Sequence, residues 1–147
     1  MNRQFSEGIM SVKGITIHNT NNKYSAKENL AFMMNSKYSF ATHYFVDENE
    51  IREAISPKYN CYHTGKGYDK GNLYTIAIEI CRSTCSEHLY LEAENRAIGL
   101  IRNLMKRYNL NSDCIFFHND FNKSAYCPHR IFEIYGNKRN FLERNTL

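Results

Sequence analysis

Residues 76–81, Ile-Ala-Ile-Glu-Ile-Cys, are apolar throughout except for one carboxylate. In an extended chain Ile76, Ile78 and Ile80 point to one side, and Ala77, Glu79 and Cys81 to the other. A strand that is apolar on both sides needs a covering layer on each, which places it at the centre of a sheet. Whatever else this chain does, it must supply neighbouring strands and packing helices around that run, and it must tolerate Glu79 inside it. An unpaired carboxylate there costs several kcal/mol. Glu79 is therefore either one half of a buried salt bridge or a general base whose pKa is raised by burial.

The neighbours are legible along the chain. Ile15 to His18 reads as a short strand, with Ile15 and Ile17 on one face and Thr16 and His18 on the other. Asn19 to Lys23 is a polar loop. Ser25 followed by Glu28 is a capping box, predicting a helix to about Lys37 with Ala26, Leu30, Met33 and Met34 as its buried stripe. His43 to Val46 and Ile51 to Ile55 form two strands across a turn at Asp47 to Glu50. Residues 56–73 read as loop, with Gly65, Gly67 and Gly71. Helical spacing of Ala97, Ile98, Ile101, Leu104, Met105 and Tyr108 predicts a helix over 91–108, stopped by Asn109. Cys114 to Phe117 is a further strand ending at His118, and Pro128 suits the opening of a last helix. Strands alternating with helices make the class α/β, a central mixed β-sheet flanked by α-helices.

The 147 residues fit a single domain spanning 1–147. No apolar run approaches the ~20 residues of a membrane span, and the mean hydropathy is −0.60, so membrane insertion is not expected. Met1 to Gly14 has no apolar core of a secretory signal, which predicts synthesis in the cytoplasm. A net charge of +4 suits an acidic polymer. With no Lys/Arg run and no basic-aromatic run, nucleic acid is not an expected partner. Cys61, Cys81, Cys85, Cys114 and Cys127 are odd in number, pointing to free thiols or a metal ligand.

His18 and His118 each end a strand, and Cys127 follows in a loop nine positions after His118. Two imidazoles and a thiolate leave one position open on a tetrahedral zinc, as a catalytic site requires. Each residue alone has a plainer reading, a satisfied histidine or a small core cysteine. Cys81, Cys85 and His88 form a competing zinc cluster. A knuckle built from Cys114, His118, Cys127 and His129 is excluded, because an extended 114–118 separates its first two side chains by ~13 Å.

Six blocks then occur in order: Gly14-Ile-Thr-Ile-His18-Asn-Thr20, His43-Tyr-Phe-Val-Asp47, His63-Thr-Gly65, Ile76-Ala-Ile-Glu79-Ile-Cys81, Phe117-His118-Asn-Asp120 and Tyr126-Cys127-Pro-His-Arg-Ile131. Together, over about residues 14–132, they resemble the type-2 N-acetylmuramoyl-L-alanine amidases, whose fold is shared with peptidoglycan recognition proteins and phage lysins. The resemblance implies a Zn2+ cofactor held by His18, His118 and Cys127, with Glu79 as the base. It places Asn19 and His63 in segments that line the substrate groove, where a plain structural role stands beside substrate binding as the alternative for both. The family often carries Lys or Thr two residues before the last ligand; here that position is Ala125, and nearby Lys123 is the candidate to steady the oxyanion. Thr42 is given no role.

The resemblance further implies hydrolysis of the amide between N-acetylmuramic acid and L-alanine in bacterial peptidoglycan. A phage or prophage endolysin, released to the wall by a holin, fits that activity without a signal peptide, with a wall-binding domain elsewhere in a longer protein or cut away. Two rivals stand beside it. One is a recognition module that binds peptidoglycan without cutting it; retention of all three ligands and Glu79 favours the enzyme. The other is a zinc-stabilised nucleic-acid binder, which a steep salt dependence of DNA binding would reveal.

Overall fold

The computed structural model of the chain describes residues 5, 6, 8–65 and 69–147. Gly67 and most of the polar residues near the N-terminus lie outside them. Five strands form one sheet in the order β3-β2-β4-β1-β5. They are β1 (Gly14–Asn19), β2 (Tyr44–Val46), β3 (Ile51–Glu53), β4 (Thr75–Ile80) and β5 (Ile115–Phe117). β4 lies parallel to β1 and β2, β5 is parallel to β1, and only β3 runs antiparallel, paired with β2. The sheet is therefore mixed, and the run containing Glu79 is its central strand.

The two faces follow the alternation in sequence. Ile15, Ile17, Tyr44, Val46, Ile76, Ile78, Ile80, Ile115 and Phe117 share one core with the long helix α3 (Glu87–Tyr108). That helix contributes Tyr90, Ala93, Ala97, Ile98, Ile101 and Leu104, the i, i+3, i+4 spacing of a helix lying on a sheet. The opposite core joins Phe45, Ala77 and Cys81 to Ala26 and Met33 of helix α1 (Ala26–Asn35). Thr16, His18 and Glu79 belong to this second face, which is not fully covered.

Several element boundaries differ from those the sequence predicts. α1 has the capping box at Ser25 and Glu28 but stops at Asn35, and Met34 is 58% exposed instead of buried. Residues 56–73 are not all loop. Asp69 accepts the Gly71 N–H and starts a short helix, α2 (Lys70–Tyr74), that leads directly into β4. α3 begins four residues before 91, because the Ser86 side chain caps it at Leu89 N. It ends as expected at Asn109, which adopts the left-handed conformation with φ 53° and ψ 50°. His118 opens a one-turn helix, α4 (His118–Phe121), and Pro128 precedes α5 (His129–Tyr135). A sixth helix, α6 (Lys138–Arg144), buries Phe141 against Phe117 and Tyr135.

Candidate metal centre and catalytic cleft

The parallel strands β1, β4 and β5 end on the same side of the sheet, the place where open α/β sheets build their sites. His18 is the penultimate residue of β1 and is paired in register with Glu79 of β4. Glu79 is paired in turn with Phe45 of β2, so His18, Glu79 and Phe45 form one row on the less covered face. His118 follows the last residue of β5. Cys127 is brought back to it by a backbone hydrogen bond from Asn119 N to Cys127 O at 3.2 Å.

This arrangement gathers one ligand atom each from His18, His118 and Cys127, all within 4.8 Å of one another. Among the described residues they are the only histidine, cysteine or carboxylate group that converges in this way. The rival cluster does not assemble: Cys81 is fully buried beneath α1, whereas the His88 side chain is 87% exposed on α3.

The three ligand atoms open into a cavity of about 310 Å³. Its wall also includes Asn19, Thr20, Phe32, Phe40, His63 and Glu79 and, among the described residues, no Lys or Arg. Among the described residues, two buried polar atoms in this wall have no hydrogen-bond partner, Glu79 Oε2 and Thr20 Oγ1. The other carboxylate oxygen of Glu79 lies 3.9 Å from His18 Nδ1, too far for a hydrogen bond. Among the described residues, the buried salt bridge that the sequence allowed is therefore absent as a close pair. Burial pushes the Glu79 carboxyl up to about 8. It also pushes the Cys127 thiol up to about 12, with Glu79 adding to the rise and the Asn19 backbone N–H opposing it. Burial, then the neighbouring His63 and His118, hold His18 well below the usual imidazole range, and burial lowers His118 too.

Two imidazoles, a thiol and a carboxyl thus face one another across the cavity. A divalent cation held there would favour the deprotonated thiol and carboxyl. Two imidazoles and one thiolate match a borderline-soft metal better than magnesium or calcium, and leave a fourth position open. The residues present thus fit such an ion.

A family model described as N-acetylmuramoyl-L-alanine amidase matches residues 9–130. The chain belongs to this amidase family. Among its curated relatives, the amidases CwlA and XlyB of Bacillus subtilis (strain 168) are each 37% identical over 123 residues, 83% of this chain. The matched region spans 45% of CwlA and 38% of XlyB, less than half of either. Among solved structures, PlyL superposes with a TM-score of 0.89 at 30% identity, covering 97% of this chain and 88% of that one. The catalytic domain of XlyA superposes with a TM-score of 0.83 at 26% identity, covering 92% and 90%. The fold is that of these solved structures.

The remaining predicted residues fall differently. Asn19 and His63 do line the cavity, but their polar atoms are engaged inside the protein. Asn19 Oδ1 accepts from the backbone of Arg130 and Ile131, and its Nδ2 donates to Tyr90 Oη. Both ring nitrogens of His63 are taken, by His18 at 2.9 Å and by the Gly71 carbonyl at 3.1 Å. These internal bonds give both side chains a structural role beside their place in the cavity wall. Lys123 is exposed in the turn between α4 and α5 and is not part of the cavity wall.

Phe32 and Phe40 were not singled out from sequence. Phe32 stands on α1 away from its buried stripe and is 63% exposed; Phe40 is 42% exposed. What marks Phe32 is its place: with Phe40 it sets a second large, partly exposed aromatic ring in the cavity wall.

Proposed function

We propose that this chain is the catalytic domain of a zinc-dependent N-acetylmuramoyl-L-alanine amidase, cleaving the amide between the lactyl group of N-acetylmuramic acid and L-alanine in peptidoglycan. The observation that carries the reading is the juxtaposition of three converging ligand atoms with the unpartnered Oε2 of Glu79 in one open cavity. The relatives' names, amidases of the bacterial wall polymer, supply the substrate class.

His18, His118 and Cys127 would hold the ion. A zinc ion bound there supplies Lewis acidity toward a carbonyl oxygen and toward water. Glu79 takes the proton from the attacking water on Oε2 and passes it to the nitrogen of the departing L-alanine. Proton transfer of this kind is worth about 10²–10⁴-fold. Phe32 and Phe40 offer an apolar wall for the substrate, and the unpartnered Thr20 Oγ1 offers it a polar contact. Lys123 remains the proposed aid to the oxyanion, reaching in from its exposed turn; Lys123→Ala with unchanged kcat would remove it. An endolysin, made in the cytoplasm, released by a holin and acting on the wall beside a separate wall-binding domain, is the setting we propose.

The test is digestion of purified peptidoglycan with and without a chelator, scoring new N-terminal alanine against new reducing sugar. Chelator-sensitive release of N-terminal alanine alone is expected. Retention on the wall with zinc bound and no release would instead identify a recognition module.

A further inference from the structure

We infer that His63 is a positioning residue: it fixes the tautomer of His18 so that Nδ1, not Nε2, is presented to the metal, and the Thr64 carbonyl does the same for His118. The inference rests on the metal reading above but not on catalysis.

Hydrogen-bond donors fix both tautomers, one atom at a time. The Gly71 carbonyl can only accept, so the 3.1 Å contact from His63 Nε2 requires a proton on that nitrogen. Thr75 Oγ1 already donates to the same carbonyl at 2.8 Å, and lies 3.4 Å from His63 Nε2 as a second acceptor. A neutral imidazole carries one N–H, so His63 Nδ1 is left with its lone pair. That lone pair faces His18 Nε2 at 2.9 Å, which must then be the N–H of His18. The lone pair of His18 is thereby placed on Nδ1, the nitrogen that lies 3.8 Å from Cys127 Sγ. At the second ligand the relay is shorter. The Thr64 carbonyl accepts from His118 Nε2 at 3.3 Å, leaving His118 Nδ1 free.

The support is rigid. Asn72 Oδ1 accepts from His63 N at 2.7 Å and from Thr64 N at 2.9 Å, holding the backbone of both residues. Gly71 admits no side chain, since a Cβ would lie 2.7 Å from Thr64 Cγ2 and 2.8 Å from Phe121 Cδ2. One small cluster, His63, Thr64, Gly71 and Asn72, thus orients both imidazole ligands. Outer partners of this kind commonly fix which ring nitrogen binds a metal.

The experiment is long-range ¹H–¹⁵N correlation of the histidine rings in the metal-free protein, with metal affinity measured separately by chelator competition using zinc alone. His18 is expected as the Nε2–H tautomer in the unmodified protein. His63→Asn keeps an acceptor where Nδ1 stood and should preserve that tautomer. His63→Phe removes it, should give a tautomer mixture, and should weaken zinc binding about 10- to 100-fold. His18 found as the Nδ1–H tautomer in the unmodified protein overturns the inference without any variant. So does a folded His63→Phe with unchanged tautomer and zinc affinity. Failure of the unmodified protein to bind zinc is a separate result, and sinks the proposed function instead.

Discussion

Asn19 caps a helix that lies far from it in sequence: its Oδ1 accepts the backbone N–H of Arg130 at 2.9 Å across 111 residues. The Ile131 N–H adds a longer contact at 3.4 Å. Pro128 at the helix start offers no side-chain cap, so a residue from β1 takes that role for α5. Because Asn19 follows His18 and α5 follows Cys127, one side chain ties two ligand segments together. Asn19→Ala should lower stability by about 1–2 kcal/mol, the usual cost of a lost cap. In a domain of this size that is roughly 3–8 °C in Tm. Thermal unfolding measures it. A raised KM with unchanged Tm would instead assign Asn19 to substrate binding.

Glu79→Gln separates chemistry from architecture. The amide is nearly isosteric, and the carboxylate it replaces makes no close ion pair. The variant should keep its fold and zinc content while kcat falls about 10²–10⁴-fold. Circular dichroism, metal analysis and wall digestion together decide it; turnover within a few-fold of the unmodified protein would take Glu79 out of the reaction.

What could be read from sequence and what could not divide along physical lines. Period-two alternation in 15–18 and 76–81 set strand faces correctly, because both strands are buried on two sides and a one-residue slip would invert them. The capping box at Ser25 and the stop at Asn109 are local chemistry and were legible for that reason. Met34 falls outside the core because it lies one position past Met33, at the margin of the stripe, where helical spacing alone does not fix burial. α2 was missed because five residues with a glycine carry no periodicity; only the Asp69 cap could have signalled it. His18 and His118 are legible from their position at strand ends, and all three with Cys127 from the resemblance. The partners of Asn19 and His63 lie up to 112 residues away, and no local pattern encodes them.

Cys127→Ser tests the ligand set through stability as well as chemistry. A ligand that binds only the folded state stabilises it by RT ln(1 + [L]/Kd), about 2.7 kcal/mol at a hundredfold excess over Kd. Adding zinc to the metal-free protein should therefore raise Tm, and adding a chelator should reverse the rise. In Cys127→Ser both responses should shrink, because the soft thiolate is gone while His18 and His118 remain. An undiminished zinc-dependent rise in Tm would show that Cys127 is not a ligand.

His43 sets an acid limit on the fold that is independent of the metal ligands. Its ring is fully buried, Nε2 donates to Tyr59 O at 2.8 Å, and Nδ1 accepts the Ala77 N–H of the central strand at 2.8 Å. Protonating Nδ1 would destroy that acceptor. Burial accordingly lowers the His43 pKa to about 4, with the Tyr59 carbonyl opposing the shift. The sign follows from proton counting. Between the unfolded value near 6.5 and the folded value near 4, the unfolded chain binds more protons, so stability falls as pH falls through that window. The full shift corresponds to roughly 3 kcal/mol, lost progressively below about pH 6.5. His43→Gln, which does not titrate, should flatten this part of the stability curve, although its stability at neutral pH will be lower through poorer packing. Urea unfolding of both proteins at several pH values between 7 and 4 measures the slopes. Equal slopes would mean that the acid sensitivity resides elsewhere, with His63, lowered to about 3, the next group to replace.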